Sequence, residues 1–179
     1  QGFNGLFFHF ELSHETMMDR RMARISGTSI DDLDNGIYHD EEMEASDLMA
    51  KWPGDITYIY CAGWTMQRVA MQARKLASHK SLSWVIVDYL QKAAYPDKEK
   101  GLNPSQLRGQ DAETLKVLAG ELSVHVMLAS QLNREATQTG RKTGHNIRDT
   151  GEVNEKCNLL FTLDRQIRDT DLKDITGKV

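Results

Sequence analysis

The stretch SLSWVIVDYLQ, residues 81–91, places an aspartate at the end of an apolar run. The run from Trp84 to Val87 has the length and composition of a buried strand, and Asp88 follows it directly. Desolvating a carboxylate costs several kcal/mol unless a cation or hydrogen-bond donors receive it. The sequence therefore predicts a strand that carries Asp88 to a polar site.

Apolar runs of strand length recur along the chain, and they are continuous rather than alternating. They cover Leu6–Phe10, Ile56–Cys61, Trp84–Val87, Val124–Ala129 and Leu159–Leu163. Such runs are typical of strands buried on both faces of a parallel sheet. Helical patterns separate them, so the sequence predicts an α/β fold with an open, mostly parallel β-sheet flanked by helices on both faces.

Capping residues and apolar stripes mark the predicted helices. Ser13 and Thr65 are of the kind that caps a helix, and Thr65 begins a pattern over residues 66–78. Two further stripes consist of Met18, Met22 and Ile25, and of Leu115, Leu118, Ala119 and Leu122. The acidic, turn-rich segment 26–55 predicts one or two short helices.

Length and composition bound the class of protein. A chain of 179 residues can build one sizeable core. A formal charge of -4 argues against a protein that coats nucleic acid, but it is compatible with a local basic loop. The two cysteines are far apart, as in a reduced cytosolic protein. No apolar stretch reaches the roughly 20 residues of a membrane span, so no membrane partner is expected.

Three predicted strands end in polar residues at the same edge of the sheet: Glu11, Asp88 and Gln131. The carboxyl ends of parallel strands form the binding crevice of open α/β sheets. A nucleotide-hydrolysis site can be built from three such groups. They are an acid that holds a hydrated divalent cation, an acid that orients water, and an amide that contacts a phosphate oxygen. Each residue alone is better explained as a helix cap or a loop anchor. For the three residues together, a functional site is as well supported as that structural explanation.

Two irregular segments, 92–106 and 133–151, follow predicted strands and so belong to the same edge. The second contains Arg141, Lys142 and Arg148, and the next acid is Asp149. Basic loops of this kind contact nucleic-acid phosphates. A solvated surface loop is the alternative that the composition leaves open.

Several motifs occur in the order found in one known family. VIVDYLQ (85–91), VHVMLASQLNRE (124–135) and NIRDTGEVNEKCNLLFTLDR (146–165), with FFHFELSHETMMDRRMARISGT (7–28) and IYCAGWTMQRVAMQARKLASHK (59–80), resemble the ATPase domain of DnaB-type replicative helicases. That family is a branch of the RecA-like superfamily, and the match covers nearly the whole chain. The resemblance implies a RecA-like fold and an ATP-dependent DNA helicase, with ATP and Mg²⁺ as cofactors.

The resemblance assigns a role to each strand end. Asp88 matches the acid that holds Mg²⁺ through water, and Glu11 matches the glutamate that polarises the attacking water. Gln131 matches the glutamine that senses the γ-phosphate. The resemblance therefore implies these three as catalytic residues, with Asp88 and Gln131 also binding nucleotide.

The resemblance also implies a DNA-binding loop. Arg148, Asp149 and Gly151 match an Arg-Glu-x-Gly loop that grips single-stranded DNA in the central channel of the family's ring, although Asp149 is one methylene shorter than that glutamate. Arg141 and Lys142 complete the expected DNA-binding set. The family forms hexamers with ATP between subunits, so the resemblance implies a homo-hexamer. The other partners that it implies are single-stranded DNA, a helicase loader and a primase. The implied location is the cytoplasm of a bacterial or phage-infected cell.

Residues 1–179 are expected to form a single, partial RecA-like domain. The phosphate loop, G-x-x-x-x-G-K-[ST], does not occur in the sequence, and in the family it precedes the strand that ends in Glu11. Gly177 and Lys178 match the start of the hairpin that carries the arginine finger, and Lys178 is expected to bind nucleotide. The chain alone is therefore expected to be inactive. Two alternatives stay open: a non-catalytic DNA-binding or ring-interaction module, and another RecA-like recombination-type ATPase.

Overall fold

Four of the five predicted strands form one parallel sheet. The computed structural model describes residues 3–37, 40–51, 54–96, 103–131 and 151–163. The strands are β1 (Gly5–His9), β2 (Ile56–Tyr60), β3 (Trp84–Asp88) and β4 (His125–Leu128). Their order is β2-β1-β3-β4, and each neighbouring pair is parallel. All four carboxyl ends therefore lie at one edge of the sheet.

Helices precede and follow the strands as the sequence predicts. The described helices are α1 (His14–Ser26), α2 (Ile30–Asp34), α3 (Asp40–Ala50), α4 (Met66–Ala77), α5 (Pro104–Leu122) and α6 (Gly151–Lys156), with a 3₁₀ turn at Leu90–Lys92. Both predicted caps are confirmed, since the Ser13 and Thr65 hydroxyls each accept a backbone N–H bond at 3.2 Å. The acidic segment 26–55 contains two short helices, α2 and α3, as predicted.

The main core lies on one face of the sheet. Leu6 and Phe8 of β1 stand in register with Val85 and Val87 of β3, and all four side chains are fully buried. Helices α4 and α5 cover this face with the buried side chains of Val69, Ala70, Ala73, Leu115 and Leu118. The predicted apolar stripe of α5 is thus confirmed at Leu115 and Leu118.

Helix α1 lies on the opposite face. The Arg21 guanidinium of α1 stands over the Tyr58 ring, 5.7 Å from its centroid. The Tyr58 ring in turn stacks on Phe7, with 5.5 Å between centroids. Because side chains alternate along a strand, Phe7 points away from the face that carries Leu6 and Phe8. Helices on both faces of a parallel sheet confirm the predicted fold class.

The predicted fifth strand, Leu159–Leu163, is wrong. This segment has no ladder partner among the described residues, and its apolar side chains are between 44% and 91% exposed. An apolar run signals a tendency to be buried, but a strand also needs a neighbouring backbone with free hydrogen-bonding groups.

Two predictions about burial are also wrong. Neither edge strand of the described sheet is buried on both faces, since β4 leaves Met127 61% exposed and β2 leaves Tyr60 50% exposed. On α1, Ile25 is exposed and Ala23 is buried instead. Since α1 packs against α2 and α3 as well as against the sheet, its buried side is rotated from the stripe that spacing predicts.

Only parts of the predicted edge loops fall within the described residues. The segment 92–106 ends in the first turn of α5, and the segment 133–151 contributes only Gly151, which begins α6. Across the described ranges, no helix combines the length and the hydropathy that crossing a membrane requires.

Candidate active site at the carboxyl edge of the sheet

Glu11 and Asp88 meet at the ends of adjacent strands. Asp88 ends β3 and stands in register with His9, the last residue of β1. One residue further on, the Phe10 N–H donates to the Asp88 carbonyl at 3.1 Å, so the chain delivers Glu11 beside Asp88. Both carboxylates line one cleft, whose other lining residues are His9, Leu12, Met17, Arg20 and Tyr89.

The Asp88 carboxyl is half-buried and suited to a cation. Burial raises the pKa of Asp88, the charge of Glu11 raises it further, and His9 and Arg20 lower it. Within the described ranges, no group donates a hydrogen bond to this carboxylate. A divalent cation would favour the charged form, and Mg²⁺ binds through carboxylate oxygens and retained waters. Among the described residues no group of three or more metal-ligating side chains occurs, so the site fits an Mg²⁺ ion that keeps its waters and has Asp88 as its one carboxylate.

Glu11 has a different environment, because it is exposed and paired. Its Oε1 lies 2.6 Å from the Lys92 ammonium and accepts a hydrogen bond from the Tyr89 hydroxyl at 3.1 Å. The hydrogen bond from Lys92 is the main cause that lowers the pKa of Glu11. The same contact raises the pKa of Lys92. Glu11 is therefore ionised at neutral pH.

His9 closes the turn that carries Glu11. Its ring is 1% exposed, and Nδ1 lies 3.0 Å from the Leu12 carbonyl. Because a carbonyl only accepts, Nδ1 carries the proton and Nε2 is left with a lone pair that has no partner among the described residues. Burial lowers the pKa of His9, which favours the neutral ring at pH 7. This contact spans Glu11 and fixes the backbone on both sides of it.

Gln131 lies at the same edge, one strand further along. The pairing of β3 with β4 continues past the strand ends. The Ala129 N–H donates to the Val87 carbonyl at 2.9 Å, and the Leu90 N–H donates to the Ala129 carbonyl at 3.0 Å. Gln131 follows two residues later and is exposed. It is not among the residues that line the cleft of Glu11 and Asp88. The structure thus joins two predicted site residues and places the third on the adjoining strand end.

The remaining predicted site residues have other positions. Gly151 is the first residue of α6. The predicted DNA-binding residues Arg141, Lys142, Arg148 and Asp149 and the predicted nucleotide-binding residue Lys178 lie outside the described residues.

Sequence reasoning missed three charged or polar residues at this edge of the sheet, namely Lys92, Gln91 and Arg20. Lys92 and Gln91 follow Asp88 in the 3₁₀ turn, and their position directly after a functional strand end is a signal that could have found them. Arg20 comes from the second turn of α1, and its approach to Asp88 depends on how α1 packs on the sheet. No local pattern in the sequence specifies that packing.

The fold matches solved structures of RecA-like ATPase domains. One, described as an ATPase domain, superposes with a TM-score of 0.73 at 18% identity, over 88% of this chain and 57% of that one. Another, a DnaB-like replicative helicase studied in its interactions with primase, has the same TM-score and identity over 87% of this chain and 38% of that one. The chain therefore has a RecA-like α/β fold.

The sequence comparisons identify the family to which this domain belongs. A family model described as the DnaB-like helicase C terminal domain matches residues 2–176, and the chain belongs to that family. It is 28% identical over 166 residues to the replicative DNA helicase DnaB of Buchnera aphidicola subsp. Schizaphis graminum, covering 89% of this chain and 35% of that protein. A probable plasmid replicative DNA helicase of Chlamydia trachomatis is 22% identical over 176 residues, covering 96% of this chain and 38% of that protein. The chain thus spans little more than a third of these relatives.

Proposed function

We propose that this chain is the core of the motor domain of an ATP-dependent replicative DNA helicase. The observation that carries the proposal is the meeting of Glu11 and Asp88 in one cleft at the ends of β1 and β3. Their environments suit two different tasks, because Asp88 is half-buried without a hydrogen-bond donor among the described residues and Glu11 is exposed and ionised. Membership of the DnaB-like family supports the same reaction.

Each site residue has one task in this proposal. Asp88 would hold Mg²⁺ through water, and the bound ion would neutralise charge that develops on the transferred phosphoryl group. Glu11 orients the attacking water, and its lowered pKa keeps the carboxylate ready to accept a hydrogen bond at neutral pH. Gln131 donates its side-chain amide to a γ-phosphate oxygen of ATP.

The proposal extends to the whole protein that contains this domain. We propose that it translocates on single-stranded DNA as a homo-hexameric ring in the cytoplasm, with a helicase loader and a primase as partners. Arg141, Lys142, Arg148, Asp149 and Gly151 form the proposed DNA contact, and Lys178 contacts the nucleotide. Support comes from family membership and from the solved DnaB-like helicase whose interactions with primase are known.

The test is a Glu11→Gln substitution in the full-length protein. We expect DNA-stimulated ATP hydrolysis and duplex unwinding to fall by about 100-fold or more, while ATP binding changes by less than about 3-fold. Glu44→Gln, at an exposed position of α3, is the matched control and should leave both activities unchanged. Unchanged turnover in Glu11→Gln would contradict the role of Glu11. A full-length protein without any ATP hydrolysis would instead support a non-catalytic module.

A further inference from the structure

The Gln91 side chain joins the segment after β3 to the segment after β4. Its Oε1 accepts the Gln131 N–H at 3.1 Å. Its Nε2 donates to the Ser130 hydroxyl at 2.9 Å and lies 3.4 Å from the Gln131 carbonyl oxygen. One side-chain amide therefore holds the backbone of residue 131 on both its donor and its acceptor side.

This contact begins where the strand ladder ends. Among the described residues, the last backbone bond between the two segments runs from Leu90 N–H to the Ala129 carbonyl at 3.0 Å. After Leu90 the chain turns into the 3₁₀ turn, so its backbone no longer faces Gln131. A carboxamide presents the same donor and acceptor as a peptide group, and Gln91 thereby extends the pairing to residue 131.

Gln91 is itself anchored to α5. Arg108 of α5 donates to the Leu90 carbonyl at 2.9 Å and to the Gln91 carbonyl at 3.1 Å. The Arg108 side chain is 12% exposed, and its guanidinium contacts Asp111 and the Tyr95 hydroxyl. Since this helix belongs to the core, the backbone of residue 91 is fixed in the same frame as β3.

We propose that Gln91 is a positioning residue that sets where Gln131 stands relative to Asp88. The inference rests on the proposed function, because Gln131 acts there on the γ-phosphate. Asp88 and Gln91 are three residues apart on the anchored segment at the end of β3. Gln131 lies on the segment after β4, where it is exposed and its backbone is held by Gln91. The Gln91 amide is engaged with the Ser130 hydroxyl and with the backbone of Gln131, so it acts through Gln131 rather than on the nucleotide.

Loss of the Gln91 amide should affect turnover more than binding or folding. Gln91→Met keeps the length of the side chain and removes the contacts to Ser130 and Gln131. The freed groups of Ser130 and Gln131 lie in partly or fully exposed residues and can bond water. We expect kcat for DNA-stimulated ATP hydrolysis to fall about 10-fold to 100-fold, because a small misplacement of a reacting group costs that much. The KM for ATP should change by less than about 3-fold.

The deciding experiment is a double-mutant cycle in the full-length protein with Gln91→Met and Gln131→Ala. If Gln91 acts through Gln131, the double variant keeps the kcat of Gln131→Ala alone. A kcat loss equal to the product of the two single losses would overturn the inference, as would wild-type kcat in Gln91→Met. Gln67→Met, at an exposed position of α4, is the matched control and should hydrolyse ATP normally.

Two further measurements separate the possible failures. If Gln91→Met does not fold, Gln91→Asn replaces it in the cycle, because the shorter amide cannot reach Gln131 and the same kcat loss is expected. If wild-type protein hydrolyses ATP and Glu11→Gln abolishes this, then normal turnover in the Gln91 variants refutes only the positioning role. If Glu11→Gln leaves hydrolysis unchanged, the proposed function fails first.

Discussion

The carboxylate of Glu11 is paired with the ammonium of Lys92, with 2.6 Å between Oε1 and Nζ. Lys92 ends the 3₁₀ turn that follows Asp88, whereas Glu11 follows β1. The segment after β3 thus supplies the cation that pairs with the carboxylate after β1. This pairing lowers the pKa of Glu11 below its ordinary value of 4.5.

The first prediction concerns the pH dependence of hydrolysis in Lys92→Met. Removing the ammonium raises the pKa of Glu11 toward its ordinary value, so a larger fraction of Glu11 is protonated in mild acid. Protonated Glu11 cannot orient the attacking water, and the acid limb of the rate profile should move to higher pH. The measurement is kcat/KM for ATP as a function of pH in the full-length protein. Lys75→Met on α4 is the control, and superimposable acid limbs for all three proteins would contradict the pairing.

The second prediction concerns the contact between β1 and β3 at Gly5. A Cβ at this position would lie 2.1 Å from the Trp84 indole, its partner in the parallel register. Gly5→Ala should therefore lower the free energy of unfolding by about 1–3 kcal/mol through overpacking. Gly120→Ala, in α5 with open space around its Cβ, should raise it by about 0.5–1 kcal/mol. Urea midpoints followed by tryptophan fluorescence compare the two, and equal shifts would argue against close packing at Gly5.

The third prediction concerns the buried group of Tyr95, Arg108 and Asp111. Asp111 is 1% exposed, accepts a hydrogen bond from the Tyr95 hydroxyl at 2.6 Å and lies 3.6 Å from the Arg108 guanidinium. Burial raises the pKa of Tyr95, so its hydroxyl stays a donor. Arg108→Met removes the cation beside a buried carboxylate and should cost about 3 kcal/mol of unfolding free energy.

A second substitution tests whether that cost comes from the unpaired charge. Arg108→Met combined with Asp111→Leu should recover part of the lost stability, because the unpaired carboxylate is removed while the Leu90 and Gln91 carbonyls still lack the Arg108 donor. The two single variants and the double variant are compared by urea unfolding. A double variant that is less stable than Arg108→Met alone would contradict the unpaired Asp111 carboxylate as the source of the cost.

The fourth prediction concerns the two cysteines. Cys61 is fully buried, donates its thiol to the His9 carbonyl at 3.2 Å, and burial raises its pKa to about 12. Cys157 is exposed. At pH 8 a thiol-specific reagent should modify Cys157 in the native protein and Cys61 only after unfolding. Cys157→Ser should remove one rapidly reacting thiol, and Cys61→Ala should remove none.

The raised pKa of Cys61 also predicts how the stability of the fold changes as the pH becomes alkaline. Above the ordinary thiol value of 9.0 the unfolded chain loses this proton, whereas the folded chain retains it up to about 12. The unfolded state then binds fewer protons, so stability falls as pH rises through this window. Cys61→Ala should show a weaker fall in urea midpoint between pH 8 and the alkaline limit, and identical slopes would contradict the buried thiol.

The sequence predicted those features of the fold that depend on neighbouring residues. The hydroxyls of Ser13 and Thr65 satisfy N–H groups three residues away, so capping is visible in a short window. The strand that ends in Asp88 was recognisable because an apolar run meets a carboxylate. Leu159–Leu163 has the same apolar character but no strand partner among the described residues, which no local window reveals.

The candidate site was predictable to the extent that strand ends converge. Parallel pairing places every carboxyl end at one edge, which is enough to bring Glu11 and Asp88 together. The pairing of Lys92 with Glu11 and the hold of Gln91 on Gln131 depend on which strands are neighbours and on the geometry of one turn. Both contacts join residues at least 40 positions apart, so spacing along the chain carries no signal for them.

The last prediction concerns the proposed DNA contact at Arg148. Each phosphate that a protein neutralises releases counterions, so the logarithm of affinity falls with the logarithm of salt concentration in proportion to the number of contacts. Arg148→Ala should weaken binding of single-stranded DNA by the full-length protein and reduce that slope by about 1, with a similar loss for every DNA sequence. Arg24→Ala, in the last turn of α1, is the matched control and should leave the slope unchanged. A weaker affinity with an unaltered slope would mean that Arg148 supports the fold or the ring rather than a phosphate.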